Sequence, residues 1–168
     1  MYKILLVGST KNKNISIIYS VAAELTDYEF ILIGSFDNYL NLVNFNNYIN
    51  ISEEKLVHLY RSSDVLLFPS LSEGFGLPII EAQHFGLPVI TSKYEPMFSV
   101  AGVNSALFVN PRSREEMKIA IYSILNDDNL RKNIINNGFQ NAKNYNLENV
   151  LLKYKELYKN ILDCQSNA

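Results

Sequence analysis

Short apolar runs alternate with longer amphipathic stretches along this chain, and that alternation sets the fold class. Six runs, at residues 2–7, 29–33, 48–51, 64–68, 88–91 and 106–109, are brief and largely apolar. This is the pattern of strands buried on both faces, as in a parallel sheet covered by helices. Helices are predicted in the gaps, over 15–26, 53–61 and 77–84, with a weaker pattern over 38–46 and one turn over 96–101. Ser113 and Glu116 form a capping box, and Met117, Ala120, Ile121, Ile124 and Leu125 follow at core-facing spacing. Asp127 or Asp128 caps the next helix, which carries Leu130 and Ile134. A last helix over 147–162 carries Leu147, Val150, Leu151, Tyr154, Leu157, Tyr158 and Ile161, either as a face for a partner or folded onto the chain's own core. Strands in this order predict a Rossmann-like, doubly wound parallel sheet ordered 3-2-1-4-5-6, with helices on both faces and a ligand at the carboxyl ends of the strands.

A length of 168 residues gives room for one domain with a sizeable core, and neither a repeat nor a linker divides it. A net charge of −2 without a long basic run argues against nucleic acid as the main partner. Cys164 has no second cysteine to pair with, which excludes an intrachain disulfide and a cysteine-based metal site and fits a reducing compartment. The 21 asparagines cluster in 38–50 and 126–149 between regularly spaced apolar positions, so they read as solvated helix faces and turns. The opening run through Gly8 reads as a buried strand rather than a signal peptide, because it is brief and a polar loop follows. No apolar run approaches the roughly 18 residues of a membrane span, and a cytoplasmic protein is expected. His58 and His84 have no third ligand at metal spacing, and no Gly-x-Ser-x-Gly or other nucleophile–base pattern occurs.

The chemistry concentrates in Glu73-Gly74-Phe75-Gly76-Leu77-Pro78-Ile79-Ile80-Glu81. A strand ends at Pro69-Ser70, a Gly-x-Gly turn follows, and Pro78 suits the first position of a helix. Such a helix start is an anion site, with unpaired backbone N–H groups, a positive dipole end and no Cβ to hold a phosphate away. Glu73 and Glu81 repel phosphate but accept hydrogen bonds from hydroxyls. The pattern therefore implies a ligand with both a phosphate and a sugar. Ordinary turn glycines and solvated acids are the bland alternative for each residue taken singly.

Ser70-Leu71-Ser72-Glu73-Gly74-Phe75-Gly76-Leu77-Pro78-Ile79-Ile80-Glu81-Ala82, followed by Gly86-Leu87-Pro88-Val89-Ile90, closely resembles the signature of the retaining, GT-B-fold glycosyltransferases of the group 1 (family four) class. From Tyr2 to about Tyr145 the element order resembles that family's C-terminal, donor-binding domain; nothing resembles its N-terminal, acceptor-binding domain. The resemblance implies one half of a GT-B fold that binds a nucleoside-diphosphate sugar and transfers the sugar, with retention, to an unidentified hydroxyl acceptor. It implies no metal or cofactor, an N-terminal domain or partner chain, and attachment to a membrane, if any, through that partner. It also implies roles for single residues. Glu73 lies against the transferred sugar, and Glu81 takes the ribose hydroxyls. Amides of Gly74, Phe75, Gly76 and Leu77 face the diphosphate, with the Phe75 ring shaping the turn. In the loop after the first strand, which includes Gly8 and Ser9, Lys13 neutralises the leaving diphosphate, with Lys11 as the alternative.

Two departures from the family pattern stand out. Ser9 occupies a position where many members have arginine, so a bidentate phosphate donor is lost. Ser99-Val100-Ala101-Gly102 lacks the acid of the family's Glu-Val-x-Gly, which removes a donor-site contact or a helix cap. Two readings compete with glycosyl transfer. One is a non-catalytic nucleotide-sugar-binding module or truncated fragment. The other is a dinucleotide-dependent oxidoreductase, disfavoured because Gly8-Ser9-Thr10-Lys11-Asn12-Lys13 lacks Gly-x-Gly-x-x-Gly.

Overall fold

The computed structural model describes residues 1–35 and 42–166. One parallel sheet runs through it, in the spatial order β3-β2-β1-β4-β5-β6. The strands are β1 (Tyr2–Val7), β2 (Tyr28–Ile33), β3 (Phe45–Tyr48), β4 (Val65–Phe68), β5 (Val89–Ser92) and β6 (Leu107–Val109). The helices are α1 (Ile15–Glu24), α2 (Glu53–Ser62), α3 (Leu77–His84), α4 (Met97–Ala101), α5 (Arg114–Asn126), α6 (Asp128–Lys143) and α7 (Leu147–Ser166). The predicted doubly wound order is the observed one.

Alternation along the strands divides the core in two. Ile4 and Leu6 of β1 point to the face covered by α1 and α5, where Ile15, Ile18, Val21, Met117, Ile121 and Ile124 pack. Leu5 points to the opposite face, against Leu59 and Tyr60 of α2, Ile79 and Ala82 of α3, and Met97 of α4. β4 is buried at every position, as a central strand covered on both sides must be.

Three expectations change. The third strand is Phe45–Tyr48 rather than residues 48–51. Its pairing with β2 runs from Phe30–Phe45 to Ile33–Tyr48 and closes with Gly34 N donating to Tyr48 O at 2.9 Å. Phe45 anchors the strand, stacked on Phe30 at 6.2 Å and edge-on to Tyr19 at 5.1 Å, whereas Ile49 is exposed. Of the helix predicted over 38–46, residues 38–41 lie outside the described residues; a turn and the start of β3 occupy the rest. The capping box is half formed. Ser113 Oγ accepts from Glu116 N, but the Glu116 carboxylate reaches Asn110 N at 2.6 Å, and Asn110 O already satisfies Ser113 N. Asp127, not Asp128, caps α6, accepting from the amides of Asn129 and Leu130.

Candidate functional site

β1 has β2 on one side and β4 on the other, and α1 and α3 lie on opposite faces of the sheet. The loops that leave the carboxyl ends of β1 and β4 therefore border a crevice, the usual ligand position in an open parallel sheet. The structure ties these loops together. Leu71 N donates to Asn12 O at 2.7 Å, and Asn12 Nδ2 donates to Ser72 O at 2.8 Å and to Glu73 Oε1 at 3.3 Å. Asn14, left-handed at φ 63°, caps α1 through its backbone and gives its side-chain amide to Pro69 O and Pro111 O.

Lys13 ends a 3-10 turn (Lys11–Lys13), and its Nζ lies 2.7 Å from Glu73 Oε1 and 4.3 Å from the centre of the Phe68 ring. Both charged side chains are largely enclosed, at 16% and 10% exposure. Gly8 makes this path available: a Cβ there would lie 2.8 Å from Lys13 Cε. Lys11 is exposed, and among the described residues no ion pair engages it. Ser9 spends its hydroxyl oxygen as an acceptor from Ser35 N at 3.0 Å, which fastens the loop after β1 to the end of β2.

α3 begins where expected. Gly76 caps it in a left-handed conformation (φ 103°), Pro78 follows in the first turn, and Ile79 N closes on Gly76 O at 3.0 Å. Among the described residues, the N–H groups of Gly74, Phe75, Gly76 and Leu77 find no protein acceptor. They remain for water or a ligand, at the positive end of the helix. Gly74 differs from Gly76: its φ is ordinary, and a Cβ there would meet nothing within 4 Å. Neither backbone geometry nor packing requires glycine at position 74. The Phe75 ring sits edge-on to Tyr145 at 5.6 Å, which links this turn to the corner between α6 and α7. Ser70 Oγ is the one buried side-chain polar atom without a partner among the described residues.

Glu81 does not join the Lys13–Glu73 pair. Its Oε2 accepts from the Tyr60 hydroxyl at 2.6 Å, and it lines a cleft of about 360 Å³ between α2, α3 and the α6–α7 corner. Leu56, Tyr60, Leu77, Ile80 and Tyr145 supply apolar wall, and Glu53 and His84 supply polar rim. Burial, reinforced by the Glu81 carboxylate, pushes the Tyr60 phenol far above the ordinary tyrosine range, so it stays a donor. Tyr145 is also raised by burial. Glu95 accepts from the Ser99 hydroxyl at 2.8 Å and from Ser99 N at 3.3 Å, at the start of α4. Asn12, Tyr60 and Tyr145 were not singled out in the sequence. Asn12 had a signal available, its place one residue before Lys13; Tyr60 in α2 and Tyr145 in the turn after α6 are ordinary aromatics until the fold brings them to the site.

No group of His, Cys, Asp and Glu among the described residues is arranged to hold a metal ion, and none of the described helices is long and apolar enough to cross a membrane. A family model for group 1 glycosyl transferases matches residues 2–141. Of curated proteins, the O-antigen chain mannosyltransferase B of Escherichia coli is 32% identical over 109 residues, covering 65% of this chain and 28% of its own length. The chain spans less than half the length of the curated relatives it matches. Of solved structures, the C-terminal domain of a group 1 glycosyl transferase from Francisella tularensis superposes with a TM-score of 0.72 at 21% identity, covering 87% of each chain. Sucrose-phosphate synthase from Thermosynechococcus elongatus superposes with a TM-score of 0.80 at 24% identity, covering 97% of this chain and 46% of its own.

Proposed function

The chain belongs to the group 1 glycosyl transferases and has the fold of their C-terminal GT-B domain, and from that premise we propose that it binds a nucleoside-diphosphate sugar for retaining transfer to a hydroxyl acceptor. The observation that carries the reading is the junction of two loops at the topological switch point. Lys13 meets Glu73 there, one turn away from four unpaired amides at the start of α3. The diphosphate lies against those amides and the Lys13 ammonium. Gly74 lets it approach the backbone, and the nucleoside extends toward the cleft beside Glu81, whose carboxylate takes the ribose hydroxyls.

In the reaction the bond between the anomeric carbon and the β-phosphate oxygen breaks. A bond to the acceptor oxygen forms on the same face, and the acceptor proton leaves with the diphosphate. Negative charge grows on the leaving oxygens, where Lys13 and the amides stabilise it, and positive charge grows at the anomeric carbon beside Glu73. Without ligand, Lys13 and Glu73 satisfy each other; donor binding redirects the ammonium to phosphate and the carboxylate to sugar hydroxyls. Asn12, already bonded to Glu73, keeps that acid in position during the exchange. The acceptor site belongs to an N-terminal half or partner chain, and the apolar side of α7 is the surface on which that half closes.

Calorimetric titration with UDP, GDP, ADP and their hexose derivatives tests the binding step. A transfer assay supplemented with an acceptor-binding half tests the chemistry. Lys13→Ala is expected to slow transfer by roughly 10²–10³-fold and Glu73→Ala by more, in variants first checked by thermal unfolding. Parent-like turnover in both would overturn these roles. A second reading, a module that binds nucleotide sugar without transferring it, is favoured by the mutual Lys13–Glu73 pairing, which satisfies both charges without a donor. Tight binding with no transfer in the supplemented assay would select it.

A further inference from the structure

The reading of Glu81 as the ribose-binding acid leaves unexplained what aims it, since a glutamate one turn into a helix has three free side-chain torsions. We propose that Tyr60 is the positioning residue of the donor site: its hydroxyl fixes Glu81 Oε2 and leaves Oε1 for the ribose 2′- and 3′-hydroxyls. This inference rests on the donor-binding function proposed above.

The geometry favours a locating role over a merely satisfied core tyrosine. Tyr60 is 1% exposed, and its ring is stacked on Phe85 at 5.5 Å and 24°, so the hydroxyl has a position set by packing between α2 and α3. Its O–H···O distance to Glu81 is 2.6 Å, in the short range of a bond to a charged acceptor. Among the described residues no other hydrogen bond reaches the Glu81 carboxylate, and this one comes from the wall of the cleft that Glu81 lines. A carboxylate clamped at one oxygen presents the other in a single orientation. A ribose diol then binds without the cost of ordering the side chain.

The experiment compares UDP, GDP and ADP with their 2′-deoxy forms by calorimetry, on the parent, Tyr60→Phe, Glu81→Gln and the double variant. Tyr60→Phe keeps the ring and its stacking and removes one oxygen, and thermal unfolding verifies the fold of each variant. The parent is expected to prefer the best-bound ribonucleotide over its deoxy form by roughly tenfold. In Tyr60→Phe that preference should shrink to threefold or less, roughly, with deoxynucleotide affinity unchanged, because only the ribose contact is misaimed. Adding Glu81→Gln should then change little further, as expected for two residues acting as a unit. A purely structural tyrosine would weaken both forms equally or neither, and either result overturns the inference while leaving donor binding standing. A parent that binds nucleotides without preferring ribose overturns both this inference and the role of Glu81. A parent that binds none overturns the donor reading itself.

Discussion

At the residue scale, two glycines in one turn do different work. Gly76 holds φ at 103° as the cap of α3, so alanine there is strained regardless of space. Gly74 has ordinary φ and open surroundings, so alanine fits the free protein. Gly76→Ala is therefore expected to cost about 1–3 kcal/mol in urea unfolding. Gly74→Ala should stay within about 0.5 kcal/mol of the parent, yet weaken nucleotide-sugar binding by at least about tenfold, because the added methyl intrudes where phosphate must meet backbone. Equal stability and equal affinity in Gly74→Ala would remove the phosphate from this turn. The sequence made these glycines conspicuous but could not separate them, since the difference lies in backbone torsion and neighbouring space. Lys13 and Glu73 stood out in the sequence as candidates, while their contact between the loops after β1 and β4 did not.

At the element scale, the start and end of α3 were readable from Gly76, Pro78 and Gly86, because local backbone preferences decide helix ends. What holds α3 in place was not readable. α6 lies along it, and Asn141 Nδ2 donates to Gln83 Oε1 at 2.8 Å, Val100 O at 2.8 Å and Ala101 O at 3.0 Å. Gln83, itself buried, donates to Ala101 O and Ser105 O. One pair of amides thus closes the terminal carbonyls of α4 and binds α3, α4 and α6 into a unit beneath the candidate site. Asn141→Ala is expected to lower the unfolding free energy by about 1–3 kcal/mol, as buried acceptors lose their donor. A change within error in urea melts would show that water replaces the amide without loss. In the sequence Asn141 was one of many asparagines read as solvated; contact with a distant glutamine decided otherwise.

At the scale of the whole molecule, α7 stands apart from the sheet. Tyr154, Leu157 and Tyr158 are 54%, 52% and 63% exposed, and Leu151 and Ile161 accompany them. Of the two readings that the sequence leaves open, this exposure favours a face for a partner over packing on the chain's own core. Removal of residues 147–168 is therefore expected to shift the unfolding free energy, measured in urea melts, by less than about 1 kcal/mol. Marked destabilisation would mean that α7 supports the domain after all. Near-neighbour patterns sufficed for the parallel sheet, its strand order and the α3 start. Those follow from local periodicity, turn chemistry and the handedness of crossovers, all written in near neighbours. Tertiary structure alone decided that β3 begins at Phe45, that Lys13 meets Glu73, that Tyr60 clamps Glu81 and that α7 lies exposed. Each depends on residues far apart in the chain competing for the same space or the same hydrogen-bond partner.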